Sequence, residues 1–165
     1  MPALSRLVDA LHTDHPATDR ADKMGLYGWL IGDWTMEAIV NRDDGTRHTG
    51  TGEIHFGWVL EGRAIQDVWI LPGVFHGTTL RVYDPGIDAW HIIWSDPLRQ
   101  VYARQIGRAC GADIVQEGTN GAGEPIRWRF TEITPDSFHW LGEDSRDGGA
   151  TWWLRADFVA RRVGG

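Results

Sequence analysis

Two titratable side chains stand within short apolar runs, where a side chain could do acid–base chemistry. Asp67 alternates with Ile65 and Trp69 in the run 63–71, so all three share one face of an extended strand. If that face points inward, Asp67 is a buried carboxylate, which needs a partner charge or a proton and suits an acid–base role. His91 could act as a general base near neutral pH. Asp67 and His91 are therefore the candidate catalytic residues.

Both assignments depend on strand register, which the sequence leaves open. In the opposite register, Gln66, Val68 and Ile70 line the interior, and Asp67 faces solvent. For His91 the competing interpretation is an outward position, because Trp90 and Ile92 claim the opposite face of its run.

Three further polar side chains could orient a ligand. Tyr102 and Arg104 share one face of a predicted strand. An inward arginine requires an anion, so Arg104 in an interior would imply a ligand that carries a carboxylate. His139 could hydrogen bond to a polar ligand group. The alternative places all three on a solvated outer face, since Trp140 and its partners occupy the face opposite His139.

Ten tryptophans among 165 residues indicate a large aromatic interior. Either they fill that interior or they line a pocket, in which case stacking on indole rings favours a flat or polycyclic apolar molecule. The candidate ligand-binding tryptophans are Trp34, Trp58, Trp69, Trp90, Trp94, Trp128 and Trp140.

The elements that must position these residues are short β-strands. From Asp33 onward, runs rich in Trp, Val, Ile, Tyr and Thr alternate with turn clusters such as Asp84-Pro85-Gly86. The predicted strands are Asp33–Asn41, Gly50–Leu60, Arg63–Leu71, His76–Tyr83, Ala89–Ser95, Gln100–Ile106, Asp113–Glu117, Ile126–Ile133, Ser137–Glu143 and Thr151–Ala160.

Turns this short make neighbours in sequence neighbours in space, and a meander of about ten strands must curl. We therefore predict an all-β protein: an antiparallel up-and-down barrel of about ten strands, whose closure removes exposed edges. A two-sheet sandwich would show the same alternation and is the competing fold.

The amino-terminal region differs from the rest. Leu4, Leu7, Val8 and Leu11 recur at helical spacing, which predicts a short amphipathic helix over Ala3–His12 that packs on the main body as a lid or plug. We place a helix and linker in residues 1–24 and the barrel domain in residues 25–165.

Composition narrows the partners. A formal net charge of −7 repels phosphate backbones and anionic membranes, so we expect neither nucleic acid nor a membrane as partner. No apolar run reaches the ~20 residues of a membrane helix. One cysteine, Cys110, and no signal-peptide pattern favour a cytoplasmic location. No histidine spacing or glycine-rich motif indicates a metal or cofactor.

Four short segments follow one another along the chain: Leu30-Ile31-Gly32-Asp33-Trp34, Leu60-Glu61-Gly62-Arg63, Val82-Tyr83-Asp84-Pro85 and Trp94-Ser95-Asp96. Their order resembles the DUF1579-type, lipocalin-like barrels of the calycin superfamily and covers most of the chain from Gly25 to Arg162. In that family a Gly-x-Trp triplet closes one end of the barrel, which the resemblance assigns to Gly32-Asp33-Trp34. The resemblance implies a cup with an internal cavity and no agreed activity.

A more distant similarity connects the chain with nitrobindin-like haem barrels, which also begin with Gly-x-Trp. Where those proteins bind iron through a histidine, this sequence has Trp153. An indole nitrogen donates a hydrogen bond and cannot ligate iron, so we expect no haem.

Three hypotheses of function follow. The first is a module that binds a small apolar or aromatic molecule in the barrel. The second is an isomerase, cyclase or hydratase of specialised metabolism that uses a cavity acid or base such as Asp67 or His91. The third is a ligand-free structural homodimer with a barrel packed solid.

Overall fold

The computed structural model describes residues 5–164, which form two short α-helices and eleven β-strands. The helices are α1 (Arg6–Leu11) and α2 (Ala21–Gly28), with a 3-10 turn at Thr18–Arg20 between them. The strands are β1 (His12–Thr13), β2 (Gly32–Asn41), β3 (Arg47–Val59), β4 (Ala64–Leu71), β5 (Phe75–Asp84), β6 (Ala89–Asp96), β7 (Val101–Cys110), β8 (Asp113–Thr119), β9 (Pro125–Thr134), β10 (Ser137–Asp144) and β11 (Trp153–Arg162).

Strands β2 to β11 form a closed antiparallel barrel in which each strand pairs with the next along the chain. The first and last of them, β2 and β11, pair through register partners such as Ala38 and Phe158, and this pairing closes the ring. Strand β1 adds two residues beside the end of β3. The predicted ten-stranded up-and-down barrel is confirmed, and no sandwich forms.

Alternation along each strand decides what faces inward. In β4, Ile65, Asp67, Trp69 and Leu71 are buried, whereas the residues between them are partly exposed. The apolar members of that set gain more from burial than the alternative face would, so they fix the register and carry Asp67 inside with them. The register that the sequence left open is therefore the one with Asp67 in the interior.

One end of the barrel is closed by α2, which the sequence pattern did not predict. Its Met24 and Tyr27 are buried, and so is Leu30 just beyond its end. The helix lies in a stretch that reads as linker, because it is two turns long and contains two glycines. It runs across the predicted boundary between residues 24 and 25.

The predicted amino-terminal helix is present as α1, capped by the Ser5 side chain, which accepts from the Leu7 N–H at 3.2 Å. Its role as a lid or plug is wrong, because no residue of α1 is buried and Leu7 is 72% exposed. A helix of six residues presents too few apolar side chains to cover a barrel end. Leu4, part of the predicted stripe, lies outside the described residues.

Trp34 seals the same end from within the barrel, as the Gly-x-Trp resemblance implies. Its indole is fully buried and donates to the Leu30 carbonyl at 2.7 Å. The Arg162 guanidinium lies over the ring at 4.3 Å and donates to the carbonyls of Trp29 and Ile31. Gly32 begins the strand at a φ of +125°, a conformation that glycine adopts without strain.

Candidate ligand-binding site

The opposite end of the barrel contains a cavity of about 840 Å³. The turns that follow β2, β4, β6 and β8, together with the end of β10, form its mouth, and the inward faces of the strands form its wall. The aromatic part of the wall consists of Trp69, Phe75, Trp94, Trp128, Trp140 and Phe158. A smaller depression of about 410 Å³ on the outer face of β2, β3 and β11 has no aromatic side chain in its lining. The interior cavity is therefore the candidate site.

Trp140 lies at the centre of the aromatic wall. Its ring stacks on Phe158 with centroids 5.0 Å apart and planes 13° from parallel. Trp69 and Trp128 lie on either side of it, each with a centroid separation of 5.5 Å. A methyl group at position 142 would come within 2.9 Å of the Trp140 ring. Because Gly142 has no side chain, it leaves room for that indole.

A buried polar layer separates the cavity from the closed end. Asp67 and Arg81 form an ion pair in which both side chains are almost fully buried, and Arg81 Nη1 donates to Asp67 Oδ2. The Thr79 N–H donates to Asp67 Oδ1 at 2.7 Å. Gln116 Oε1 accepts from Tyr27 Oη at 2.9 Å and from Arg81 Nε at 3.4 Å.

The chemistry of this layer follows from those contacts. Arg81 and Thr79 border the cavity, whereas Asp67 does not, and both Asp67 oxygens already accept hydrogen bonds. Burial raises the pKa of the Tyr27 hydroxyl well above its ordinary value, and this outweighs the opposite effect of Arg81. Tyr27 therefore stays a neutral donor, and the cation at the cavity floor is Arg81.

Three residues that line the cavity each have one polar side-chain atom without a hydrogen-bond partner among residues 5–164. These atoms are Trp69 Nε1, Trp140 Nε1 and Asp144 Oδ1, and all three atoms are buried. A buried N–H without an acceptor costs about 1–3 kcal/mol, so such groups are uncommon in a finished core. The described protein groups leave these three atoms unused, and each has almost no accessible surface, so none of them is exposed to the cavity.

The predicted tryptophans divide between the two ends. Trp69, Trp94, Trp128 and Trp140 line the cavity. Trp34, Trp58 and Trp90 lie in the core of the closed end instead, where α2 and the residues directly after it pack on them. Trp90, for example, contacts Tyr27 edge to face at 5.0 Å. Their inward direction was predicted, but the plug that covers them was not.

His91 and Arg104 lie on the outer face of the barrel, so their prediction as cavity residues is corrected. His91 Nε2 lies 2.8 Å from Asp84 Oδ2, and Arg104 approaches the other ring nitrogen at 3.5 Å. The reason is alternation, because Trp90 and Ile92 on either side of His91 occupy the interior.

His139 and Tyr102 are outward for the same reason. His139 lies between Asp157 and Glu132, with nitrogen–oxygen distances of 2.5 and 3.3 Å. Tyr102 is 52% exposed, and its hydroxyl donates to Gln100 Oε1 at 2.7 Å. None of these outer polar residues lines the cavity.

The polar residues that do reach the interior were missed, apart from Asp67. Arg81 lies on the inward face of β5 with Thr79 and Tyr83, in a strand whose two faces are both mixed in polarity. The hairpin register offered a signal, since Asp67 pairs with Thr79 and the diagonal neighbour two residues on is Arg81. Gln116 gave no such signal.

Hydrogen bonds hold the loop between β10 and β11, which lies at the open end of the barrel. Asp147 accepts from the Ser145 hydroxyl at 2.8 Å and from the Thr151 hydroxyl and N–H at 2.5 and 2.8 Å. These bonds, the Thr151 hydroxyl first, lower the pKa of Asp147 to about 2. At the start of β11, Arg155 forms ion pairs with Asp43 and Asp144.

Comparison with known proteins gives a fold rather than a family. No family model matches the sequence, and no curated protein matches it. The crystal structure of Rv2717c from M. tuberculosis superposes with a TM-score of 0.61 at 14% identity, over 89% of this chain and 98% of that one. The S-type phycobiliprotein lyase CPES from Guillardia theta gives 0.60 at 12% identity, over 91% and 99%. The chain has the calycin, lipocalin-like barrel fold.

Neither a membrane-spanning helix nor a metal-binding cluster occurs in residues 5–164. No helix there is long and apolar enough to cross a membrane. No three His, Cys, Asp or Glu side chains of that range come together as a metal site.

Proposed function

We propose that the protein binds a small, flat, apolar or aromatic molecule in the barrel cavity. The observation that carries this proposal is the open cavity of about 840 Å³ with four tryptophans and two phenylalanines in its wall. Ligand pockets commonly have volumes of about 300–1,000 Å³ and bury most of the ligand against apolar side chains. Indole rings offer wide flat surfaces, so a planar molecule gains the most contact.

The test uses the neutral probe N-phenyl-1-naphthylamine, whose fluorescence rises in apolar surroundings. We expect saturable binding of one probe per chain, with energy transfer from the tryptophans. Ala103→Trp would place an indole in the cavity, where Ala103 contributes to the wall, and should abolish binding. Tyr102→Trp is the matched control, because it adds an indole on the outer face and should leave binding unchanged.

Circular dichroism and thermal melting must show that Ala103→Trp is folded. Probe binding that is weak and unsaturable in the wild type would contradict the proposal. So would equal binding by a folded Ala103→Trp variant, since the probe would then lie outside the barrel.

Other expectations from the sequence remain predictions. Membership of the DUF1579-type barrels is supported by the Trp34 seal and would be checked by a structure of an assigned member. A cytoplasmic location is supported by the single cysteine, and cell fractionation tests it. Limited proteolysis tests the domain boundary after residue 24. Light scattering tests the predicted homodimer, and a gel shift with DNA or RNA tests the predicted lack of nucleic-acid binding.

A further inference from the structure

The charged residues at the mouth of the cavity are unevenly distributed around it. The three carboxylates of the lining are Asp43, just after β2, and Glu143 and Asp144, in β10. Strands β2 and β10 are separated around the ring only by β11. The turn between β6 and β7 lies across the mouth from them, beyond β8 and β9 on one side and β3 to β5 on the other, and it contributes Arg99 to the lining.

The carboxylates of the lining are all neutralised by arginines. The ion pairs are Asp43–Arg146, Asp43–Arg155, Asp144–Arg155 and Glu143–Arg127. The lining as a whole contains four arginines and three carboxylates, so its formal charge is +1 in a chain of −7. An anion therefore finds the mouth more favourable than the average surface of this protein.

The Arg99 guanidinium is held by a buried carboxylate and by an aromatic ring. Its Nε donates to Asp96 Oδ2 at 2.9 Å, and the Asp96 side chain is fully buried and is not part of the lining. Asp96 Oδ1 accepts from the Leu98 N–H at 3.1 Å, which fixes the carboxylate within the turn. The guanidinium carbon lies 5.5 Å from the centre of the Phe75 ring, which belongs to the cavity wall.

The other edge of this guanidinium can bind an anion. The two terminal nitrogens of Arg99 donate to no residue in the range 5–164, and the side chain is 42% exposed. Guanidinium presents a planar fork of donors that matches a carboxylate. Because Asp96 accepts from Nε, the edge between Nη1 and Nη2 is the one available, beside a ring on which an aromatic ligand would stack.

We infer that the ligand is amphipathic: its planar apolar body lies in the cavity, and a carboxylate remains at the mouth, where it accepts from the terminal nitrogens of Arg99. This inference rests on the proposed function. It adds the charge of the ligand and its orientation, with the anionic end toward solvent.

The experiment compares pyrenebutyrate with pyrenebutanamide, which share a planar body and a short chain and differ in charge. We expect the wild type to bind one molecule of either probe and to prefer the carboxylate about fivefold, the upper range for an exposed ion pair. Arg99→Gln should abolish this preference by weakening pyrenebutyrate, and it should change the affinity for the amide less than twofold. Fluorescence titration measures both affinities.

Two further variants separate a specific contact from changes in fold or in overall charge. Asp96→Asn/Arg99→Gln leaves the net charge of the chain unchanged and keeps an acceptor for the Leu98 N–H, and it should also lose the preference. Arg104→Gln is the matched control, because it removes a cation from the exposed outer face of β7, outside the lining. It should keep the preference.

The outcomes distinguish the two proposals. If neither pyrene probe binds saturably, the proposed function fails. If the wild type binds the amide at least as tightly as the carboxylate, or if the preference survives in either Arg99 variant, the inference about the anionic end is overturned while cavity binding stands. Loss of the preference in Arg104→Gln would also overturn it, because overall charge would then explain the wild-type result.

Discussion

Both halves of this barrel contain inward-facing tryptophans, but the tryptophans of the closed end are covered by another element and those of the open end line a cavity. At the closed end, Trp34 is fully buried and its N–H is bonded to the Leu30 carbonyl. At the open end, Trp69 and Trp140 line the cavity, and their buried N–H groups have no partner in residues 5–164. Tryptophan content alone therefore does not distinguish a core from a binding surface. The difference is whether another element supplies contacts and acceptors.

At the closed end that element is the segment around α2. Tyr27 contacts both Trp90 and Phe130 edge to face, and the Leu30 carbonyl accepts from Trp34. No described element inserts into the open end in this way, and the buried ion pair of Asp67 and Arg81 lies between the halves. We infer that the closed end carries the stability of the barrel and the open end carries its function.

The largest expected effect compares one tryptophan from each half. Trp34→Ala should lower the free energy of unfolding by about 4 kcal/mol, because it empties a packed site, whereas Trp128→Ala should lower it by about 1–2 kcal/mol. Trp128 is partly exposed and already borders open space, so less packing is lost. Urea denaturation measures both values. Equal losses would mean that the open end is a core as well.

The second prediction addresses the ion pair between the halves. Asp67→Leu should destabilise the protein by about 3 kcal/mol, because it leaves the Arg81 cation buried without its partner. The double variant Asp67→Leu/Arg81→Met should recover most of that loss, since it removes both charges at similar volume. The same denaturation measurements form a double-mutant cycle.

The variants of that cycle also show whether the ion pair of Asp67 and Arg81 is needed for binding in the cavity. A double variant that is stable and still binds the neutral probe would show that the pair is not needed for the apolar part of the site. If the double variant is less stable than Asp67→Leu alone, Arg81 contributes through its contacts with Tyr27 and Gln116 rather than through its ion pair with Asp67.

The same division explains which parts of the structure could be predicted from sequence. The ten barrel strands follow from apolar alternation and short turns, which are local signals. α2 was missed because its helical signal is weak and its stability comes from covering Trp90 and Phe130, which lie far away in sequence.

For the site, alternation placed Trp94, Trp128 and Trp140 inside but could not tell which tryptophans remain uncovered. His91 and Arg104 were proposed for their chemistry, whereas the apolar residues beside them decided their direction. Arg81 lies inside because the register of β5 on β4 brings it to Asp67, its ion-pair partner. That pair is visible only once the register of the two strands is known.

The smallest expected effect concerns acid and the loop between β10 and β11 at the open end. Because hydrogen bonds lower the pKa of Asp147 to about 2 from 3.8, its stabilising contribution is complete above pH 4 and is lost as the pH falls through about 2. The loop from Ser145 to Thr151 should therefore loosen in acid while the packed closed end persists. Amide NMR spectra should show the Thr151 N–H shifting with a midpoint near pH 2, before the Trp34 indole signal changes. In Asp147→Ala the Thr151 signal should already be in its loosened position at pH 7, and simultaneous loss of both signals in the wild type would show that the two ends are not independent.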